Sequence, residues 1–236
     1  MAVGELDHRH LWHPFTQQRD WCGEEPLVIE RAEGAELVDS DGRRYIDGVS
    51  SLWCNVHGHR HPMIDEAVRE QLDRVAHSTM LGLTHRGAAE LAARLVKLAP
   101  PGLERVFYSD SGSSATEIAL KMAFQYWQQR GGQHRRRTSF VCLRDAYHGD
   151  TLGAVSVGGI DLFHSAYSPL LFRAHRVEPG DAEQLECVLD FHAEETAAVI
   201  VEPLVQGAGG MRMHAPQTLR ELCAVAHRHD VLFIAD

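Results

Sequence analysis

The sequence predicts an α/β protein: a mostly parallel sheet flanked by helices, preceded by a small antiparallel element. Three observations carry this. From Pro62 onward, stretches with apolar residues three and four apart alternate with short apolar runs, the pattern of strand–helix–strand units. Residues 139–143, 198–201 and 231–235 are short and almost wholly apolar, as parallel strands buried on both faces are. The first sixty residues are turn-rich instead, with Ala35-Glu36-Leu37-Val38-Asp39 and Arg43-Arg44-Tyr45-Ile46-Asp47 flanking Asp41-Gly42, a hairpin dipeptide because glycine accepts positive φ.

Each later element has its own signal. Pro62 suits a first helical turn, and Ile64, Ala67, Val68, Leu72 and Val75 form the stripe behind it. Ala88, Leu91, Leu95 and Leu98 form a second stripe, closed by Pro100-Pro101-Gly102. A short strand is expected near Val106-Phe107-Tyr108, a long helix after Ser113, and a strand at 139–143. Asp181 and Gln184 have capping-box spacing before Leu185, Val188 and Leu189. Pro216 opens a helix carrying Leu219, Leu222, Cys223 and Ala226, which leads into the last strand. The change of character near residue 60 divides the chain into 1–60 and 61–236.

Composition narrows the function classes. With a net charge of −10 over 236 residues and only two lysines, Lys97 and Lys121, the chain offers no nucleic-acid surface. Arg135-Arg136-Arg137 is expected to be a solvated turn, and His8, His10 and His13 are expected to be solvated near the terminus. His57, His59 and His61 alternate, but no carboxylate or cysteine completes a tetrahedral set, so no metal site is expected. Five widely spaced cysteines without a CxxC pair indicate free thiols and a reducing, cytoplasmic setting. No apolar run approaches the length of a membrane span.

Four strand ends carry chemistry. Ser109-Asp110-Ser111-Gly112-Ser113-Ser114-Ala115-Thr116-Glu117 lies between a strand and a helix, where free N–H groups and the helix dipole suit a phosphate; the serines serve equally well as plain helix caps. It is neither a P-loop nor a dinucleotide fingerprint. Ala146-Tyr147-His148-Gly149 could stack an aromatic on a flat ring, or be a packed loop. Glu202 and the glycines up to Gly210 leave a third strand end, and Asp236 stands at a fourth, where ligands gather in open α/β sheets. A phosphate seat, an aromatic plate and a carboxylate together match what pyridoxal phosphate requires.

At these residues the chain resembles the class III, or ω-type, aminotransferases of the fold type I pyridoxal phosphate family. The resemblance rests on His10-Leu11-Trp12-His13-Pro14-Phe15-Thr16-Gln17, on Asp47-Gly48-Val49-Ser50-Ser51-Leu52-Trp53, on His57-Gly58-His59-Arg60-His61-Pro62, on Lys121-Met122-Ala123-Phe124-Gln125-Tyr126-Trp127, on Gln206-Gly207-Ala208-Gly209-Gly210-Met211-Arg212-Met213, and on the strand-end motifs. It implies a fold type I transferase, with 1–60 the N-terminal segment of the small domain and 61–236 the first part of the large cofactor-binding domain. Gly112 and Ser113 would bind the phosphate, Tyr147 would lie against cofactor and substrate, and Asp236 would pair with the pyridine nitrogen. Phe15, Leu52 and Trp53 would line the substrate pocket. Phe15 stands where the family often has tyrosine, and Leu52-Trp53 where it often has Trp-Trp. The implied activity is amino transfer from S-adenosylmethionine to 8-amino-7-oxononanoate in biotin synthesis, by a homodimer. Another ω-amino acid or diamine aminotransferase, or a non-catalytic remnant, are the alternatives. The Schiff-base lysine is expected downstream of Asp236, since Lys97 and Lys121 sit on amphipathic helices, so the protein is expected to continue and residues 1–236 to be inactive alone.

Overall fold

The computed structural model describes residues 2–160 and 165–236, and the chain divides into two units, Met1–Pro101 and Gly102–Asp236. In the first, α1 (Val3–His10) and α2 (Gln18–Trp21) precede an antiparallel sheet of β1 (Ile29–Glu33), β2 (Glu36–Asp39) and β3 (Arg44–Ile46). Leu37 pairs with Tyr45 and Val38 with Arg44 around the expected Asp41-Gly42 turn. Asp39 Oδ1 accepts the N–H groups of Asp41 and Arg43 at 3.0 and 2.8 Å, fastening that turn from inside. The two stripes become α3 (Pro62–Leu72) and α4 (Arg86–Leu98), yet Ile64, Val68, Leu72, Leu91 and Leu95 remain exposed. Periodicity identifies a helix face without saying what covers it. His13 is half-buried rather than solvated: its Nε2 lies 2.9 Å from Asp7, its ring stands 4.3 Å from Trp21, and Trp21 Nε1 donates to the same carboxylate.

The second unit contains α5 (Gly112–Arg130), β4 (Ser139–Leu143), α6 (Leu152–Val157), β5 (Ala174–Val177), α7 (Ala182–His192), β6 (Thr196–Val201), the short pair β7 (Val205–Gln206) and β8 (Arg212–Met213), α8 (Pro216–Arg228) and β9 (Leu232–Ala235). Its main sheet has the order β5-β4-β6-β9, every neighbouring pair parallel. Strand alternation splits the core in two. Val141, Leu143, Val199 and Val201 pack under α7 and α8 with Leu185, Leu189, Leu222 and Val225, whereas Phe140, Cys142, Ala198 and Ile200 meet Leu120, Ala123 and Trp127 of α5. Each fully buried aliphatic side chain contributes roughly 1.5–3 kcal/mol.

Two expectations are corrected here. Residues 106–108 join no sheet, and Phe107 is exposed: the apolar residues are strand-like, but no described strand offers them a ladder. Arg137 is not solvated. Its guanidinium lies 4.0 Å over the Trp127 ring and donates to the carbonyls of Thr196 and Asp230 at 3.2 and 2.7 Å, so one member of a basic run becomes a core staple. Strand β5 was not foreseen because His175 and Arg176 interrupt its apolar pattern.

Candidate functional site

Parallel strands bring the carboxyl ends of β4, β6 and β9 to one edge, so Tyr147, Glu202 and Asp236 leave the sheet on the same side. Their backbones are tied together. Asp236 N–H donates to Val201 O at 2.9 Å. Glu202 is a double acceptor, taking the Tyr147 N–H on Oε2 at 3.1 Å and the Gly207 N–H on Oε1 at 2.9 Å, and so joins two loops through one carboxylate. His148 is buried, and its Nδ1 lies 2.7 Å from Asp236 Oδ2. The Asp236 side chain is 31% exposed. His148 Nε2 is buried and has no partner among the described residues, a costly state for a ring nitrogen.

The start of α5 adjoins this cluster. Ser111 is the N-cap, its Oγ accepting the Ser114 N–H at 3.1 Å, so the plain capping role holds for that serine. Ser113 does something else. Its Oγ accepts the N–H groups of Asp150 and Thr151 at 2.9 and 3.0 Å, which fixes the 147–151 loop against the helix start and leaves its own hydrogen free to donate. The backbone N–H groups of Gly112 and Ser113 have no acceptor among the described residues. Glu117, one turn further on, accepts from Thr151 Oγ1 at 2.6 Å and Gly153 N–H at 2.9 Å, closing the far end of the loop.

Tyr147 is half-buried, and its hydroxyl donates to Asp150 Oδ2 at 2.6 Å. Burial first, then the hydrogen bond and charge of Asp150, push the phenol up to about 12. Sequence reasoning missed Asp150, although a carboxylate three residues after an aromatic across Gly149 was a readable signal. It also missed the hydrogen-bonding work of Glu117 and Thr151, for which the sequence carries no signal beyond polar type.

Phe15, Leu52 and Trp53 belong to the first unit and are 74, 68 and 59% exposed. All three have positive φ: 50° at Phe15, 59° at Leu52 and 69° at Trp53. Leu52 and Trp53 lie within a left-handed turn, Ser50–Trp53, whose four non-glycine residues each carry a cost of roughly 1–2 kcal/mol. Glu186, Asp190 and His229 bring three potential ligand atoms within 4.8 Å of one another, but Glu186 is already engaged by Arg228 and His229.

An open parallel sheet with charged and aromatic groups gathered at its strand ends is the ligand-binding form of the α/β enzymes. The family model for class-III aminotransferases matches residues 19–236, and the chain belongs to that family. It is 54% identical over 248 residues to an adenosylmethionine-8-amino-7-oxononanoate aminotransferase of Nitratidesulfovibrio vulgaris, covering 98% of this chain and 46% of that protein. The crystal structure of the enzyme of that name from Methanocaldococcus jannaschii superposes with a TM-score of 0.94 at 39% identity, covering 99% of this chain and 54% of that one. An (S)-enantioselective omega-transaminase from Thermomicrobium roseum gives a TM-score of 0.92 at 32% identity, over 99% of this chain and 56% of that one. The chain spans about half the length of the curated relatives it matches. No helix among the described residues is long and apolar enough to cross a membrane.

Proposed function

We propose that this chain belongs to an enzyme that transfers an amino group from S-adenosylmethionine to 8-amino-7-oxononanoate, giving 7,8-diaminononanoate in biotin synthesis, with pyridoxal phosphate as cofactor. The observation that carries the cofactor reading is the buried His148 paired with Asp236 beside the free first-turn N–H groups of α5. The names of the relatives support the choice of substrates. The residues fit the cofactor: the helix start is open around Gly112, the Ser113 hydroxyl has a hydrogen to give, and Asp236 lies beside the buried His148.

When bound, the cofactor would supply an aldehyde that takes up the amino group and a protonated ring that accepts electrons from the substrate carbon. The Gly112 and Ser113 N–H groups and the Ser113 hydroxyl bind the phosphate, aided by the positive end of the α5 dipole. Asp236 holds the proton at the pyridine nitrogen, and His148 fixes the carboxylate from behind. Tyr147 lies against cofactor and substrate, its ring orientation set by Asp150. Phe15, Leu52 and Trp53 would be the substrate-facing residues of the first unit. Lys97 lies in α4 and Lys121 in α5, on helices rather than at the strand ends, and neither is assigned the covalent role. The working form is a cytoplasmic homodimer.

The similarity to an omega-transaminase favours a second reading, with a different amine donor and the same site. The test is to supply the native gene product with pyridoxal phosphate and 8-amino-7-oxononanoate, then offer S-adenosylmethionine or a simple ω-amino acid as donor. Formation of 7,8-diaminononanoate with the first is expected. Product with the second alone would overturn the choice of donor.

A further inference from the structure

The left-handed turn Ser50–Trp53 persists although four successive side chains oppose it, so something outside the turn must hold it. Its internal bonds, Trp53 N–H to Val49 O and Cys54 N–H to Ser50 O, follow from the turn and do not select it. The external restraint is Asp47. Its Oδ1 accepts the Ser51 N–H at 2.8 Å, and its Oδ2 accepts the Ser51 hydroxyl at 2.8 Å and meets His59 Nε2 at 2.7 Å. The side chains of Asp47 and His59 are 3 and 14% exposed. The Ser51 N–H, then His59 and the Ser51 hydroxyl, hold the Asp47 carboxyl below its ordinary value, so it is a full anion at neutral pH.

Both partners are anchored to the Gly34-Ala35 turn between β1 and β2. Asp47 N–H donates to Ala35 O at 2.9 Å, and His59 exchanges two backbone bonds with Gly34, at 2.8 and 3.1 Å. Gly58 makes that approach possible, because a Cβ there would meet the Gly34 carbonyl oxygen at 2.9 Å. The restraint therefore runs from the β1–β2 turn through His59 and Asp47 to Ser51, one residue before Leu52.

We propose that Asp47, backed by His59, is a positioning residue for the amino-acceptor pocket: it holds the left-handed turn that presents Leu52 and Trp53. This rests on the reading of those two residues as pocket walls. Asp47 touches neither cofactor nor substrate; it acts through Ser51.

The test uses the cofactor-loaded native gene product with Asp47→Ala, Ser51→Ala, Ser51→Gly and the double variant Asp47→Ala/Ser51→Gly, with Asp41→Asn as an unrelated control. Two readouts are taken: amide hydrogen exchange in residues 48–55, and KM and kcat for the acceptor. Asp47→Ala should speed the exchange, leave cofactor content intact, and raise the acceptor KM on the order of tenfold to a hundredfold, the usual penalty for displaced positioning groups. Ser51→Gly should partly reverse both effects in the Asp47→Ala background, since glycine accepts the left-handed conformation without the restraint. Ser51→Ala, which deletes one contact, should lie between wild type and Asp47→Ala, and it replaces that variant should Asp47→Ala fail to load cofactor. Unchanged exchange would overturn the restraint. Faster exchange with an unchanged KM would overturn its role in the pocket. The exchange readout needs no turnover, so a failure of the proposed reaction is distinguished from a failure of this inference.

Discussion

Gly149→Ala tests whether the loop carrying Tyr147 and His148 is seated as closely on α5 as the geometry requires. Gly149 has φ 110°, and a Cβ built there would lie 2.4 Å from Ser113 Oγ and 2.7 Å from Ser113 Cα. The first contact could be relieved by turning a side chain; the second is backbone, and the loop must lift. A non-glycine residue in that region of φ costs about 1–3 kcal/mol. Forced displacement in a packed site costs roughly another 1–3 kcal/mol. Gly112→Ala is the matched comparison, since nothing lies within 4 Å of its Cβ position and its φ is not positive. Alanine is favoured over glycine within helices by about 1 kcal/mol, so this variant should be at least as stable as wild type. Denaturant midpoints on the native gene product should therefore separate the two variants by more than about 2 kcal/mol. Pyridoxal phosphate should dissociate about tenfold more readily from both, by lost seating in one and by a methyl group in the phosphate seat in the other. Equal midpoints for Gly149→Ala and Gly112→Ala would refute the close-approach argument.

Trp127→Phe should lower stability by about 1–3 kcal/mol in a denaturant titration, because it leaves the Ala197 carbonyl without its 2.8 Å indole donor and puts a smaller ring under Arg137. Asp150→Asn should bring the Tyr147 phenol down from about 12 toward its ordinary value near 10, followed by alkaline ultraviolet titration. Because the folded value is raised, the associated stability is present below about pH 10 and is lost as pH rises through the folded value. On the acid side, burial and then the stacked His192 ring, 4.3 Å away, hold His175 below its ordinary value, with Arg173 adding to the lowering and Glu195 opposing it. Its stability contribution is therefore full above about pH 6.5 and declines as pH falls through that value toward the folded one. In thermal scans His175→Phe should flatten that decline.

Much of the fold was legible because the pattern was dictated by burial on both faces. The runs of β4 and β6 are almost purely apolar and buried throughout, whereas β9 is as apolar but only half-buried at the sheet edge. Strand β5 escaped because His175 and Arg176 break its pattern, and residues 106–108 were over-read because composition does not supply a neighbouring strand. At the site, Gly112, Ser113, Tyr147 and Asp236 were readable as residue types at strand ends and a helix start. Their couplings were not: that Ser113 receives two loop N–H groups, that Glu202 spans two loops, or that His148 buries itself against Asp236, depends on contacts between residues up to 88 positions apart. The left-handed turn at Ser50–Trp53 was invisible for another reason, because nothing in Ser-Ser-Leu-Trp favours positive φ and the Asp47 contacts that brace it come from outside those four residues.

The most direct test of the proposed chemistry is the visible absorption spectrum of the native gene product loaded with pyridoxal phosphate, recorded before and after S-adenosylmethionine and again after 8-amino-7-oxononanoate. Conversion of the cofactor spectrum to the amine form by the donor, reversed by the acceptor and weakened in Asp236→Asn with cofactor still bound, is expected. A loaded protein whose spectrum responds to neither compound would contradict the account.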